Sequence, residues 1–258
     1  MRILMDLCAR RDADYAKSYH HKLRGCLWQP LENTRFEEMH ESSDPVGYSF
    51  SNIFPWGEIE EGDERNLLVA STHEDLLANV AAHYEQGTEM NVGEMPFTVE
   101  GYTPLGVDVG EPGTTGTLET ATGVVVRFDQ ERRQEYNIED AHGDTVTYWK
   151  PEHGIKSFRE AISGNLQHKH DLFAPDYLPG PENVEGQLFD GIELIKTYAL
   201  SVEVTSGVER TIVLSKWRFE YRVRDDDHRR HLNLALDTGI GGRNGMGFGF
   251  LNRVNHAE

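Results

Sequence analysis

Hydrophobic and polar positions along residues 1–105 follow two different periods. Apolar side chains at every second position predict strands, whereas apolar side chains at every third or fourth position predict helices. The helical period is clearest at Tyr15, Tyr19, Leu23 and Leu27. These periods predict the order strand, helix, strand, strand, helix, strand over residues 2–9, 14–31, 47–54, 66–71, 72–86 and 90–103.

The remaining residues repeat this order after a turn-rich connection. Residues 104–117 are rich in glycine and proline, which favours a linker. Alternation is strongest in two long segments that Ser206 and Gly207 would join as a tight turn. The second set of elements is predicted over residues 118–128, 155–172, 192–205, 208–224, 226–237 and 248–254.

Both halves match the β-α-β-β-α-β order of a ferredoxin-like unit. We therefore predict an α+β protein of two tandem ferredoxin-like domains, also called RRM-like. The N-terminal domain is predicted over residues 1–105, and the C-terminal domain is predicted over residues 116–258.

The composition indicates a folded protein and argues against membrane-spanning and disulfide-rich classes. With 258 residues and 38% hydrophobic side chains, the chain has enough apolar mass for a folded core. No apolar run reaches the roughly 18 residues that a membrane-spanning helix needs, and the first residues lack the pattern of a signal peptide. Two cysteines, Cys8 and Cys26, are too few for a disulfide framework. We expect a soluble, cytoplasmic protein.

The charge is strongly acidic but unevenly distributed. The chain has 44 acidic and 25 basic residues, a formal charge of −19, and only 7 of the basic residues are lysine. An acidic, lysine-poor surface suits a cytoplasm of molar salt, although an acidic protein of an ordinary cytoplasm is the alternative. In residues 210–258, nine basic residues outnumber six acidic ones. A nucleic-acid partner is therefore not excluded.

The sharpest signal is the glycine-rich segment at residues 239–249. Six of its eleven residues are glycine, and Arg243 lies between them. Glycine tolerates positive φ and exposes backbone N–H groups, so the segment is suited to holding phosphate, with a flexible turn as the alternative. A dinucleotide-binding fingerprint is excluded, because that motif follows a strand, opens a helix and needs an acidic residue about 20 positions later.

The spacing of these glycines resembles that of the CRISPR repeat-processing endoribonucleases, the Cas proteins that cut precursor CRISPR RNA within its repeats. Two Gly-hydrophobe-Gly motifs, 239–241 and 247–249, are separated by five residues that include Arg243. The first predicted helix and the strand after it look like the opening of this family, and the composition suggests a haloarchaeal member. The resemblance spans nearly the whole chain, but its specific motif is confined to the glycine-rich segment.

The resemblance implies a metal-independent reaction without a cofactor. A ribose 2′-OH would attack the adjacent phosphate in line and leave a 2′,3′-cyclic phosphate. The reaction requires a base for the 2′-OH, an acid for the leaving oxygen, and a cation or donor for the phosphorane. The implied partners are CRISPR repeat RNA, the crRNA product, and the subunits of a type I, Cascade-like interference complex.

Histidine suits the acid and base roles because its side chain titrates near neutral pH. In the family the catalytic histidine commonly lies just after the first helix, and His40 occupies that place. His20 and His21 are the rivals, but adjacent helical side chains point about 100° apart, so at most one of them faces the site. A tyrosine and a lysine often assist in relatives, and Tyr48 and Lys22 are the nearest candidates. Tyr48 also fits the position of a core residue.

The candidate RNA-binding residues lie in the glycine-rich segment and in the predicted hairpin before it. Even-numbered basic residues of the second hairpin strand would share one face, which could follow an RNA backbone. A solvated face paired with acidic neighbours is the alternative. The candidates are Lys216, Arg218, Arg222, Gly239, Gly241, Arg243, Gly247 and Gly249.

Two other classes of function fit the same elements. A non-catalytic RNA-binding subunit of the interference complex would have the basic surface without a usable histidine. A pair of small-molecule regulatory domains would have an apolar ligand pocket and no basic face. Four histidines have spacings that metal ligands can have, but no cysteine joins them and no metal site is expected. They are His168, His170, His228 and His231.

Overall fold

The protein has a mixed α+β architecture. The computed structural model describes residues 1–16, 18–37, 45–138, 147–174, 187–205 and 208–254. The elements of the first half are β1 (Arg2–Ala9), α1 (His20–Trp28), β2 (Tyr48–Phe50), β3 (Glu64–Ser71), α2 (Glu74–His83), β4 (Glu89–Val92) and β5 (Met95–Leu105).

The second half contains two long helices and a long hairpin. Its elements are β6 (Thr115–Thr120), β7 (Arg127–Phe128), α3 (Gln130–Glu135), β8 (Thr147–Tyr148), α4 (Gly154–Phe173), β9 (Gly191–Thr205), β10 (Val208–Arg222), α5 (Asp226–Thr238) and β11 (Leu251–Val254). Among the helices within the described ranges, none is both long and apolar enough to cross a membrane.

The first sheet has the strand order β2-β3-β1-β5-β4. Its central strand β1 pairs antiparallel with β3 on one side and with β5 on the other. Ile3, Met5 and Leu7 alternate along β1 and are buried in a core that includes Leu23 of α1 and Leu77 of α2. The period-two pattern of β1 therefore forms the face on which both helices pack.

The second sheet has the order β11-β6-β10-β9. One face of β10 packs against α4, where the Trp217 indole stacks on Phe158 with ring centroids 3.8 Å apart. On the opposite face, Ile212 and Leu214 join Phe248 in a separate apolar cluster. β10 is thus buried on both faces over part of its length, around residues 214–217.

The first helix is shorter than its periodicity predicts. α1 begins at His20 rather than at residue 14. The preceding segment is extended instead, because the backbone of Ala13 pairs with that of Ile59. Backbone pairing with a distant segment has therefore overridden the helical period of the tyrosines.

Two predicted strands, 90–103 and 118–128, are each divided in the structure. β4 and β5 form a hairpin around Gly93, whose φ is +63°. After β6 the chain pairs once more with β10, at Val124 and Ser215, before β7 pairs with β8 in a small sheet of its own. The predicted turn at Ser206 and Gly207 lies outside the described residues.

A buried arginine joins the two sheets. The Arg2 guanidinium donates to the carbonyl oxygens of Leu236 and Leu251 and to Oδ1 of Asn252. It also lies over the Phe250 ring, 4.5 Å from the ring centroid. Because Arg2 is only 2% exposed, water has little access to replace these bonds. One side chain therefore ties β1 to α5 and β11.

We expect Arg2→Met to lower the free energy of unfolding by about 2–4 kcal/mol, because three acceptors lose a buried charged donor. Arg11→Met is the control, since the Arg11 side chain is 64% exposed and lies 3.9 Å from Glu94. Its effect should stay below about 0.5 kcal/mol. Urea unfolding measures both values, and equal losses would contradict the role assigned to Arg2.

Candidate functional site

The glycine-rich segment forms a compact loop between α5 and β11. Its backbone has positive φ, between 61° and 82°, at Gly239, Gly241, Arg243, Gly247 and Gly249. The Asn244 side chain closes the loop, because its Nδ2 donates to the carbonyl oxygens of Ile240 (3.1 Å) and Phe248 (2.8 Å). These bonds give the loop a defined shape.

Close contacts within the protein require glycine in this loop. A Cβ atom at Gly247 would strike the Phe50 ring of β2, and one at Gly249 would strike the carbonyl oxygen of Ile240. The only edge of the loop that is partly exposed to solvent is formed by residues 242, 243 and 245, which are half-buried. Packing within the protein thus explains why four buried positions of the loop are glycine. Contact of these glycines with RNA remains a prediction. They are Gly239, Gly241, Gly247 and Gly249.

The loop rests against α1 and β2. His20 of α1 is buried, and its Nδ1 lies 3.1 Å from the carbonyl oxygen of Met246, which can only accept a hydrogen bond. Burial lowers the pKa of His20 to about 4, so the ring is neutral at neutral pH. The Tyr48 hydroxyl donates to the carbonyl oxygen of Gly245 (3.4 Å) and also interacts with Arg24. Burial raises the pKa of Tyr48 to about 12.

A cavity of about 380 Å³ opens beside the exposed edge of the loop, and we call it the arginine cleft. Arg24 of α1, Arg127 of β7 and Arg243 of the loop line it together with His168 of α4. An adjoining cavity of about 280 Å³ adds Arg132 of α3. Cationic or titratable side chains from five parts of the fold therefore converge on one place.

The positive charges of the arginine cleft are not balanced locally. Burial lowers the pKa of Arg243, and the nearby charges of Arg127 and Arg24 lower it further. Within the part of the chain that the structure describes, no salt bridge joins these three arginines to a carboxylate. Clustered guanidinium groups without a carboxylate are suited to bind phosphate.

The predicted catalytic histidine, His40, lies outside the described residues. Pro45 and Val46 are the first described residues after it, and both line the arginine cleft. Its rival His20 faces the other side of the loop and holds Met246. The role of His40 stays a prediction.

Lys22 does not lie in the arginine cleft. Its Nζ pairs with Glu203 of β9 at 3.6 Å, and its stem lies near Gly93. Arg24, two residues further along α1, points in a different direction and reaches the cleft instead. The structure therefore brings Arg24 and Tyr48 together, but not Lys22.

The basic residues that were predicted to share one face of the hairpin lie in three different environments. Arg218 donates to Glu119 (2.8 Å) and to Glu193 (3.2 Å), so its charge is offset as in the solvated-face alternative. Arg222 is exposed at the end of β10. Lys216 is half-buried and lines a separate cavity between the two sheets.

A buried lysine lies beneath the loop. Lys169 of α4 donates to the carbonyl oxygens of Thr238 (3.2 Å) and Gly239 (2.6 Å) at the end of α5. A cation there satisfies carbonyl groups that the helix leaves unpaired. Burial lowers the pKa of Lys169 to about 7.

Several residues of the site were not identified from the sequence. Arg24 had a usable signal, because it lies four positions after His20 and therefore on the same face of α1. Asn244 is the polar, turn-forming residue inside the glycine-rich segment. Arg127 and Arg132 had no local signal, since only the folded chain brings them to the loop.

The chain is similar over its whole length to proteins of one family. The sequence profile described as "CRISPR associated protein Cas6, C-terminal" matches residues 110–253. A protein described as "CRISPR-associated endoribonuclease Cas6" from Haloferax mediterranei is 59% identical over 258 residues, which cover 100% of this chain and 95% of the relative.

Solved structures have the same fold. A structure described as a Cas6-related gene from Pyrococcus furiosus gives a TM-score of 0.68 at 18% identity and covers 100% of this chain and 99% of its own. Another, described as a RAMP protein binding different RNA substrates, gives 0.70 at 18% identity and covers 99% and 100%. At these identities the likeness shows the fold alone.

We expect Gly249→Ala to destabilise the protein more than Gly242→Ala. A Cβ atom at Gly249 would strike Ile240 in a left-handed backbone, whereas the nearest atom to a Cβ at Gly242 is 3.8 Å away. The strained variant should lose at least about 1 kcal/mol, measured by thermal unfolding. Equal midpoints would mean that packing does not determine the shape of the loop.

We expect Lys169 to make stability depend on pH between about 7 and 10.5. In this window the unfolded chain keeps the lysine proton and the folded protein releases it, so the free energy of unfolding rises with pH. Lys169→Met should remove a slope of up to about 1.4 kcal/mol per pH unit.

Urea unfolding at a series of pH values measures this slope. Lys156→Met is the matched control, since the Lys156 side chain is 82% exposed on the same helix, and it should keep the wild-type slope. A slope that survives unchanged in Lys169→Met would contradict the assignment.

Proposed function

The chain belongs to the Cas6 family of CRISPR-associated endoribonucleases, and on that premise we propose that it cleaves precursor CRISPR RNA within its repeats and then retains the crRNA. The arginine cleft carries the proposal. Arg24, Arg127 and Arg243 concentrate positive charge there, although the whole chain has a formal charge of −19. Such a site favours an anion, and the phosphates of RNA are anions of this kind.

The proposed reaction is an in-line attack of a ribose 2′-OH on the adjacent phosphorus. The bond from O2′ to phosphorus forms and the bond to the 5′-oxygen breaks, leaving a 2′,3′-cyclic phosphate and a 5′-hydroxyl. His40 is the proposed general acid or base. No metal is needed in this mechanism, because the arginines stabilise the charge that develops on the phosphorane.

Tyr48 and Arg24 are the proposed assistants. Tyr48 is only 1% exposed and its hydroxyl already donates to the Gly245 carbonyl oxygen, so its proposed part is to position the loop and, through their contact, Arg24. Arg24 takes the role that sequence reasoning assigned to Lys22, because Lys22 pairs with Glu203 away from the cleft. Arg243 adds a charge at the exposed edge of the loop.

The proposed path of the RNA continues from the arginine cleft over neighbouring basic groups. Arg127 belongs to both cavities, and Arg132 lines the second one together with Asp129, whose Oδ1 accepts from the Arg132 backbone N–H. The exposed Arg222 is available for a further backbone contact. Such contacts position RNA without reading its sequence.

We further propose that the fold consists of two tandem ferredoxin-like domains, over residues 1–105 and 116–258. The strand orders support this. The first sheet contains β2-β3-β1-β5, with β4 added at its edge, and the second contains β9-β10-β6-β11. Each order places the second, third, first and last strands of a β-α-β-β-α-β unit side by side.

The proposed setting is the cytoplasm of a cell that holds molar salt. The acidic, lysine-poor composition supports it, as does the relative from Haloferax mediterranei. Subunits of a type I, Cascade-like complex are the proposed partners of the protein after cleavage, because a retained crRNA would be passed to them.

We expect His40→Ala to slow repeat cleavage by about 10²- to 10⁴-fold while leaving RNA binding intact, because a general acid or base is lost. The assay uses purified protein and labelled repeat RNA in EDTA and high KCl, with binding followed by mobility shift. His83→Ala is the matched control, since His83 is exposed on α2. A larger loss of cleavage in His20→Ala or His21→Ala than in His40→Ala would show that the catalytic histidine is wrongly assigned.

Two further cleavage measurements test the mechanism. A 2′-deoxy substitution at the nucleotide 5′ to the scissile phosphate should block cleavage, because it removes the nucleophile. Cleavage of that substrate, or strict dependence on Mg²⁺, would contradict the proposal. Tight binding of repeat RNA without any cleavage would favour a non-catalytic RNA-binding subunit.

A further inference from the structure

A cavity of about 520 Å³ lies between the two sheets and shares no lining residue with the arginine cleft. We call it the aromatic cavity. One wall comes from α1, the residues before it and the segment after β2, and the other comes mainly from the β9–β10 hairpin. The side chains that define its chemistry are Tyr15, Tyr19, Trp56, Lys196, Tyr198 and Lys216.

One wall of the aromatic cavity is a flat surface open to solvent. Trp56 is 64% exposed, which is unusual for so large an apolar side chain. Its ring stacks on Tyr15, with centroids 5.6 Å apart and planes within 14° of parallel. Tyr15 is held in place because its hydroxyl donates to the carbonyl oxygen of Ile53 (2.6 Å). A flat, held aromatic surface is the kind on which a nucleobase stacks.

The opposite wall carries two lysines that repel each other. Lys196 of β9 and Lys216 of β10 are direct partners in the strand register, and like charges in this arrangement are destabilising. Within the described part of the chain, neither forms a salt bridge. Glu119, the acidic group that acts on Lys216, is held by Arg218. The Lys216 Nζ donates to the Ala121 carbonyl oxygen (3.0 Å), which leaves two of its three N–H donors for a ligand. A bound phosphate would remove the repulsion.

A polar group completes the cavity. Asn52 lines it, and its Oδ1 accepts a hydrogen bond from the Tyr19 hydroxyl (3.0 Å). This bond orients the amide and leaves its Nδ2 as a donor. Nucleobases carry acceptors along their edges, so a donor beside a stacking surface fits a base.

We propose that the aromatic cavity binds one unpaired nucleotide, with its base stacked on Trp56 and its phosphate between Lys196 and Lys216. The volume suits a ligand of that size. This site is separate from the proposed cleavage site and does not require that the protein cuts RNA. The nucleotide is either part of a single-stranded RNA or a free mononucleotide, since both present the same base and phosphate.

Equilibrium binding of two probes tests the proposal: uridine 5′-monophosphate and a fluorescein-labelled uridylate pentamer. Trp56→Ala should weaken binding by about 5- to 100-fold, because one stacking contact is lost. Lys196→Ala should weaken it as well, with an effect that shrinks as KCl is raised. Neither probe is a repeat RNA, so the result is independent of the proposed cleavage.

Two surface variants are the matched controls. Tyr102→Ala removes an aromatic ring that is 45% exposed on β5, and Lys156→Ala removes an exposed charge. Both should bind the probes as the wild type does. Binding of the pentamer alone supports an RNA nucleotide, and equally tight binding of the monophosphate supports a free nucleotide. Wild-type affinity in both Trp56→Ala and Lys196→Ala, or no binding of either probe by the wild type, would overturn the proposal.

Discussion

The rest of this structure depends on the glycine-rich loop, whose backbone approaches its neighbours more closely than any side chain would allow. At Gly247 the loop packs against the Phe50 ring of β2, and at Gly249 it packs on its own Ile240 carbonyl. His20 of α1 and Tyr48 of β2 then bond to carbonyl oxygens of the loop. The loop can contact both halves of the protein only because glycine leaves space for them and accepts positive φ.

The same packing creates the charge distribution of the site. With the loop seated on α1 and β2, Arg243 lies beside Arg24 and Arg127, although these residues come from three distant parts of the chain. Burial and the charges of Arg127 and Arg24 disfavour the charge of Arg243. In molar salt the Debye length is only about 3 Å, so long-range attraction is screened and close contacts must provide the affinity for an anion. A cleft of fixed geometry suits that condition better than a diffuse basic surface.

Sequence reasoning succeeded where function or fold follows from a local pattern. The alternation along β1 and β10 and the presence of α2, α4 and α5 were predicted, and the family was identified chiefly from the glycine spacing. It was less accurate at α1, where backbone pairing of Ala13 with Ile59 competes with the helical period. It named Lys22 as a candidate assistant and did not consider Arg24, which lines the arginine cleft, because residue types along a helix do not say which side of the helix meets the loop.

The sequence by itself determined most of the strands and helices and the position of a loop that only glycine can form, because each of these depends on residues close together in the chain. It did not predict α3 or β8. The tertiary structure decided which charges share a cleft. Arg127 and Arg132 reach the loop only because the chain leaves the second sheet before β7. Lys216 lines the aromatic cavity, whereas Arg218, two residues further along β10, does not. Electrostatic and packing energies depend on distance in space, and that distance is set by the folded chain rather than by separation along the sequence.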